Sequence, residues 1–396
     1  MKEYEFVIIA SGMIRLSVAR ELVKSGYKDI AIIEKESEPG KHASGRNSGV
    51  LHAGIYYTQD SLKAKYSISG NEQLTKFCSD NSLSINKCGK VIVAKDSTEL
   101  APLHELYSRA MANGCKVDMI SEETLKKIEP YAITHKEAIH SPLTSVVNPK
   151  QIVSKIREDL IDSGVKVYTQ TKFIKRAKES SFISNQGEFK YSTLINAAGA
   201  FADKIAHEYG VSPELKFIPF KGTYLQLREE KSYLVNGNIY PVPNLENPFL
   251  GVHFTRGISG LVTIGPTAIP ALGRENYGIL RGISPEMISF LYTEAMMFIK
   301  NKKFRTLATQ EPKKYFKWLV YKEVKKMLNN VKYSDIISSP KVGIRPQLVN
   351  WKTKELVMDF KVEKVENTIH VLNAISPAFT GSFALAEDIV KNKVLT

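Results

Sequence analysis

Two short stretches near the N-terminus hold residue types that could grip an anion and support chemistry. The first is a turn: the apolar run Tyr4-Glu5-Phe6-Val7-Ile8-Ile9 leads through Ala10, Ser11 and Gly12 into a helical pattern, and a second apolar run, Ile30-Ala31-Ile32-Ile33, ends on Glu34. In a dinucleotide-binding turn one glycine permits the bend, a second lets backbone N–H groups approach a pyrophosphate, and a third lets helix pack on strand. Those positions here hold Ala10, Gly12 and Arg15, so only the middle glycine remains. Glu34 stands about 20 residues on, where a carboxylate can accept hydrogen bonds from a ribose. Alone, this is equally the pattern of a structural βαβ unit. The loop from Gly40 to Tyr57 shifts the balance. Its glycines, Ser44, Arg46, Asn47 and Ser48 suit a backbone wrapped around a flat anionic ligand, while Val50, Leu51, Ile55, Tyr56 and Tyr57 anchor it inward.

Positioning these residues requires a parallel sheet. Ile14, Val18, Leu22 and Val23 recur at helical spacing up to Gly26, and the nearly continuous apolar strands on either side suit a sheet covered on both faces. A helix is expected over about 61–80, a strand over 87–95, and helices over 98–114, 121–128 and 151–163. The run Tyr191 to Ala200 reads as another strand ending in a glycine turn. Strand and turn signals dominate 216–267, basic helices fill 285–330, and a final helix follows the Ser376-Pro377 turn. No repeat or low-complexity linker separates two halves, so two domains are expected to interleave. The expected segments are 1–82, 146–215 and 339–396 for a ligand-binding domain, and 83–145 and 216–338 for a substrate domain.

The 43% hydrophobic and 24% charged composition excludes a disordered chain. No segment approaches the ~20 apolar residues of a membrane span, and the N-terminal strand pattern starts without a leader. Cys78, Cys88 and Cys115 lack metal or redox spacing, which predicts free thiols in a reducing, cytoplasmic compartment and no metal site. The net charge of +14 is read first as a lysine-rich surface. Residues 300–326 concentrate ten Lys or Arg against two acids, with Phe304, Tyr315, Phe316, Trp318 and Leu319 among them. This is either a solvated helix packing its aromatic face on its own domain, or a basic amphipathic segment resting on an anionic inner-membrane face. No nucleic-acid module accompanies the charge.

Further blocks complete a pattern: Ile195 to Gly199, Pro219-Phe220-Lys221-Gly222, Tyr240-Pro241-Val242-Pro243, Phe249 to His253, Gly265-Pro266, Gly343-Ile344-Arg345 and Asn373 to Pro377. With the His42–Tyr57 loop, they make the whole chain resemble the L-2-hydroxyglutarate dehydrogenases (oxidases), within the D-amino-acid-oxidase-like superfamily of FAD enzymes. The resemblance implies an α/β fold in which a Rossmann-like FAD-binding domain interleaves with a mostly antiparallel α+β substrate domain. It implies non-covalent FAD held by Gly12, Glu34 and Lys35, by Ser44, Arg46, Asn47 and Ser48, by Ala198 and Gly199, and by Pro377, Thr380 and Gly381. The implied reaction is oxidation of L-2-hydroxyglutarate to 2-oxoglutarate, with electrons passed to a quinone or to oxygen. Within that frame His52 is the expected base and His253 its competitor, since neutral imidazole suits a hydroxyl proton near pH 7. Arg345 is the expected fork for the C1 carboxylate. Lys221, Arg256 or Arg274 would supply a second cation, with Tyr57 beside the substrate.

The departures from the resemblance lie in the turn. Ala10 replaces a glycine where a positive φ is wanted, at about 1–2 kcal/mol. Arg15 is expected to overpack the helix–strand contact and weaken cofactor binding, unless its guanidinium swings toward the pyrophosphate. Asn148 and Thr267 are milder departures. Two alternatives follow: a degenerate flavoprotein fold kept for binding or membrane association, or a related FAD enzyme acting on glycerol 3-phosphate or an amino acid.

Overall fold

The computed structural model describes residues 1–243, 251–311 and 315–395. Strand β1 (Lys2–Ile9), helix α1 (Met13–Lys24) and strand β2 (Ile30–Ile33) form the opening βαβ unit. In β1 the alternation of strand side chains divides the core. Phe6 and Ile8 point to one face, where α1 and the helices Pro149–Asp162 and Ser382–Ile389 pack. Val7 and Ile9 point to the other, against the helix Ala202–Glu208 and Phe217. The strands therefore have no polar face, as a parallel sheet covered on both sides requires.

Around β1 the sheet grows to eight strands. Gly187–Asn196 and β2 flank β1 in parallel, Lys166–Tyr168 continues beyond β2, and Thr368–Asn373 pairs in parallel with Gly187–Asn196. A second, ten-stranded sheet is built mainly of antiparallel pairs. Its longest partners are Leu215–Leu227 and Ile336–Asn350, paired from Leu215↔Asn350 to Leu227↔Ile336. One parallel pair, Lys90–Val93 with Asn238–Pro241, joins the early and late segments of this sheet. Because Ile336–Asn350 is zipped along its whole length to Leu215–Leu227, the chain rejoins the first sheet only at Lys361–Val365 and Thr368–Asn373.

Helix α2 (Leu62–Asp80) ties the two sheets to the Gly40–Tyr57 loop. Buried Asn71 donates from Nδ2 to the carbonyls of Leu51 (3.0 Å), His52 (3.2 Å) and Leu143 (3.3 Å). Asn148 caps the helix Pro149–Asp162, accepting from the N–H groups of Lys150 and Gln151. An asparagine serves there as well as an aspartate. Among the described residues no helix is long and apolar enough to cross a membrane. The three cysteines are free.

Candidate active site

A single cavity of about 850 Å³ runs against both sheets and is lined by most of the residues singled out from the sequence. Gly12, Glu34, Lys35, Ser44, Arg46, Asn47 and Ser48 reach it, as do Ala198, Gly199, Pro377 and Thr380. His52, His253 and Arg345 line it too.

The turn closing β1 is built as its sequence suggests. Ala10 has φ +80 and donates its N–H to the Ile33 carbonyl at 2.6 Å, so the strain of an L-residue in this region is real. Ser44 Oγ accepts from the Met13 N–H at 2.9 Å and serves as a cap borrowed from the loop. Glu34 is fixed by three donors: the Ser11 N–H and hydroxyl (both 2.7 Å) and the Glu36 N–H (2.9 Å). Asn196 shapes the facing turn, accepting from the Ala198 N–H and donating to Ala202 O, and Gly199 takes the left-handed φ of +59 that the turn needs. Arg15 does not wedge between helix and strand. Helical side chains lean toward the N-terminus, and its guanidinium lies over Gly12 and Gly199, inside the cavity.

Several loop residues hold the wall. Lys35 pairs with Glu36 and Glu275, and its ammonium lies among Glu36, His42 and Glu275. The Lys35 hydrogen bond is the main reason the Glu36 carboxyl falls to about 2. Arg46 donates to Lys41 O (2.7 Å) and stacks over Tyr277, while Asn47 folds back on Ala43, Ser44 and Gly49. Gly381 departs from expectation. It starts the last helix and packs on Tyr66 outside the cavity lining, and the neighbouring Thr380 does the work instead. Thr380 Oγ1 accepts from the His52 N–H (3.1 Å) and donates to Val50 O (3.3 Å). His52 is thus clamped on its N–H by Thr380 and on its carbonyl by Asn71.

At the substrate end, His253 donates from Nδ1 to the Gly251 carbonyl (2.8 Å), which puts the lone pair on Nε2. Its ring stacks on Tyr240 with centroids 4.1 Å apart. Burial, with the nearby charge of Lys90 and then His253, drives the His52 imidazole down to about 3, so it is neutral throughout the physiological range. An imidazole this acidic is a poor match to a hydroxyl proton in the empty site. Burial also lowers Arg345, to about 10, while Tyr57 and Glu311 counteract. Tyr57 faces Arg345 from outside the cavity lining and bonds Ser376.

All three expected second cations are corrected. Lys221 lies between the cavity-lining Phe220 and Gly222 on one strand, so its side chain turns to the other face. There it donates to Asn276 Oδ1 (3.0 Å) and Gly278 O (2.8 Å). Arg256 donates to the Ser232 and Val235 carbonyls and is absent from the lining. Arg274 lines the cavity but is consumed by Asp203 (Nη2–Oδ2 3.0 Å) and Glu286 (Nε–Oε2 3.2 Å). Sequence reasoning passed over one buried cation near the site, Lys90. It is 2% exposed, its Nζ has no hydrogen-bond partner, and it lies 4.5 Å from the Tyr56 ring centre and 5.2 Å from that of Tyr240. Burial brings it down to about 7. Its signal was a lone lysine opening the apolar strand Lys90–Val93.

Of the block Phe249–His253, residues 249 and 250 lie outside the described residues, as do 312–314 of the basic stretch. The rest of that stretch divides its apolar residues: Phe304, Val320 and Val324 are buried, while Tyr315, Phe316 and Trp318 are exposed.

A helix N-terminus, a fixed carboxylate, glycine turns and a half-buried guanidinium with an unpartnered Nε on one cavity fit a ribose and a diphosphate. A family model described as FAD dependent oxidoreductase matches residues 5–391. The fold agrees: a FAD-bound L-alpha-glycerophosphate oxidase from Mycoplasma pneumoniae superposes with TM-score 0.78 at 21% identity, covering 99% of this chain and 94% of that one. A glycine oxidase from Bacillus cereus gives 0.71 at 15% identity, covering 98% and 95%. The protein is therefore a FAD-dependent oxidoreductase.

Curated relatives narrow this class. The mitochondrial L-2-hydroxyglutarate dehydrogenase of Homo sapiens is 34% identical over 97% of this chain and 87% of its own length. The L-2-hydroxyglutarate dehydrogenase of Indibacter alkaliphilus is 34% identical over 97% of each. The chain belongs to the L-2-hydroxyglutarate dehydrogenase family.

Proposed function

We propose that this chain oxidises L-2-hydroxyglutarate to 2-oxoglutarate. The observation that carries the reading is the convergence of His52, His253 and Arg345 on one cavity whose other lining suits FAD. Bound FAD supplies a two-electron acceptor for the α-hydride. Arg345 forks onto the C1 carboxylate and sets the Cα–H direction. His52 accepts the hydroxyl proton as the C–O bond becomes C=O, and His253, its tautomer fixed by Gly251, orients the same oxygen. Lys90, behind Tyr240 and His52, supplies the positive field that favours a second carboxylate over a neutral chain end. On the cofactor side Glu34 receives the ribose, Gly12, Ala198 and Gly199 border the diphosphate, and Ser44, Ser48, Pro377 and Thr380 border the flavin end. Lys35, Arg46 and Asn47 hold the wall.

Anaerobic mixing with L-2-hydroxyglutarate is expected to bleach the oxidised-flavin band, with glycerol 3-phosphate and glycine inert. Bleaching by either of those and not by L-2-hydroxyglutarate refutes the substrate assignment.

For the electron acceptor we favour a quinone met at a membrane surface. In support, a second cavity of about 270 Å³ shares Phe220 and Ala268 with the first and is otherwise lined by Leu291, Phe298, Phe304 and Glu294. Burial raises Glu294 to about 7, suited to exchanging protons. The helix Met287–Lys300, which supplies Leu291, Glu294 and Phe298 to this cavity, also carries the exposed Ile288 (74%) and Ile299 (62%), and Lys300 and Lys302 follow at its end. Co-flotation with anionic vesicles but not zwitterionic ones, and turnover with a soluble quinone, are expected. Turnover with oxygen alone refutes this acceptor.

A further inference from the structure

Arg15 holds the position at which a dinucleotide-binding turn has its third glycine, yet the surrounding packing is intact. Met13, Leu16, Val18 and Ala19 of α1 are all buried against the sheet. The long side chain has left that contact and entered the cavity. Nη1 lies 2.1 Å from where a Cβ on Gly12 would be, and Nη2 lies 2.7 Å from where one on Gly199 would be. The guanidinium thus spans the two turns that face each other across the parallel pair β1 and Gly187–Asn196, a position that only two glycines permit.

Nothing in the protein answers this charge directly. Arg15 Nε is buried without a hydrogen-bond partner. The acid whose field reaches it, Glu34, already accepts from Ser11 and Glu36. The group also sits over the N-terminus of its own helix, whose dipole repels a cation. Burial lowers it to about 10, which leaves it charged at neutral pH. A half-buried cation at a helix's positive end, facing the cavity with bonding capacity unspent, is a site for an anion.

We propose that Arg15 is a cofactor-binding residue that pairs with the diphosphate of FAD, anchoring the anion by a charge-assisted contact where the usual turn relies on backbone N–H groups. This rests on FAD lying in the cavity described above. The opposing possibility is that the guanidinium obstructs the diphosphate, and the two make opposite predictions.

The test uses the full chain stripped of flavin, as wild type, Arg15→Gln, Arg15→Lys and Arg15→Gly, titrated by calorimetry with FAD, ADP and adenosine. Removing one charge-assisted contact is expected to weaken FAD and ADP about ten- to hundred-fold in Arg15→Gln. Adenosine should be unchanged, Arg15→Lys should recover part of the loss, and wild-type FAD affinity should fall as salt rises. Without ligand, Arg15→Gln should melt no lower than wild type, because a partly buried charge set at a helix's positive end has been removed. FAD binding to Arg15→Gly or Arg15→Gln as tight as to wild type, or tighter, overturns the proposal in favour of obstruction. So does equal binding of ADP and adenosine by wild type. If folded wild type binds neither FAD nor ADP, the cavity assignment fails together with the role of Arg15, a result distinct from failure of Arg15 alone.

Discussion

Replacing Lys90 by methionine should stabilise the protein while damaging its selectivity. The amine is 2% exposed, lacks a hydrogen-bond partner and falls from 10.5 to about 7 through burial. At ~1.4 kcal/mol per pH unit this is about 5 kcal/mol against the folded state at neutral pH. The contacts with the Tyr56 and Tyr240 rings return about 1–2 kcal/mol. Methionine fills similar volume without the charge, so Lys90→Met should gain about 3 kcal/mol at pH 7. The sign follows from proton binding. The unfolded chain keeps this proton up to 10.5, whereas the folded chain loses it above about 7. Between those values the unfolded state binds more protons, so wild-type stability rises with pH and the advantage of Lys90→Met shrinks toward pH 10. Urea unfolding followed by tryptophan fluorescence at pH 6.5, 8 and 9.5 (chosen at roughly even steps across that window) measures this. A variant less stable than wild type at pH 6.5, or a gap that does not narrow with pH, refutes the reading of Lys90 as an uncompensated charge. In the same variant, kcat/KM for L-2-hydroxyglutarate should fall more than that for a monocarboxylic 2-hydroxy acid.

Arg345→Lys keeps the charge but loses the fork, and kcat/KM should fall about 10- to 1000-fold with FAD content unchanged; steady-state kinetics and the flavin-to-protein ratio check both. His52→Asn should lower kcat about 100- to 10,000-fold at full flavin loading, and loss of flavin instead would mark His52 as a cofactor residue. With His52 held at about 3 in the free protein, kcat/KM should show no acidic limb from it above pH 5. In the substrate complex two added carboxylates raise His52, so the acidic limb of kcat should lie at higher pH than that of kcat/KM. Coincident limbs count against His52 as the base. Arg274→Ala should cost about 3–5 kcal/mol, because Asp203 would be left buried and unpaired; an unchanged melting temperature with a raised KM would return Arg274 to the substrate.

What was legible in the sequence divides along physical lines. The βαβ unit was readable because its strands are buried on both faces, so apolar runs and one glycine suffice to place Glu34 opposite Gly12. The loop around His52 was readable because polar and glycine residues break its apolar ones into runs of no helical period. The second cation was misplaced because charge was read without strand parity. Phe220, Gly222 and Tyr224 share the cavity face, and Lys221 between them cannot. Arg256 and Arg274 failed for another reason: their acceptors, Ser232 and Asp203, are distant in sequence and only the folded chain supplies them. Arg15 was visible as a departure but was expected to overpack, although the lean of helical side chains toward the N-terminus already pointed it at Gly12.

The energetics of the site tie these residues together. Arg15, Lys90 and Arg345 are each lowered by burial, and two of them border or back the same histidines. A protein with total stability of ~5–15 kcal/mol would not retain such charges for its own sake, since apolar residues of similar volume would hold the fold better. On the proposed function their cost is recovered when anions arrive: a diphosphate at Arg15, a carboxylate at Arg345, and a second carboxylate within the field of Lys90. Burial first, and then the field of Lys90, keeps His52 neutral and its proton affinity low. On the proposed function a dianionic substrate would offset the field of Lys90 and raise that affinity at the moment a hydroxyl proton must be taken. A neutral alcohol of the same shape would bring no such charge and would leave the base weak. Under that reading selection of a dicarboxylate and activation of the base share one electrostatic cause, and Lys90, which lies outside the cavity lining, would act in both.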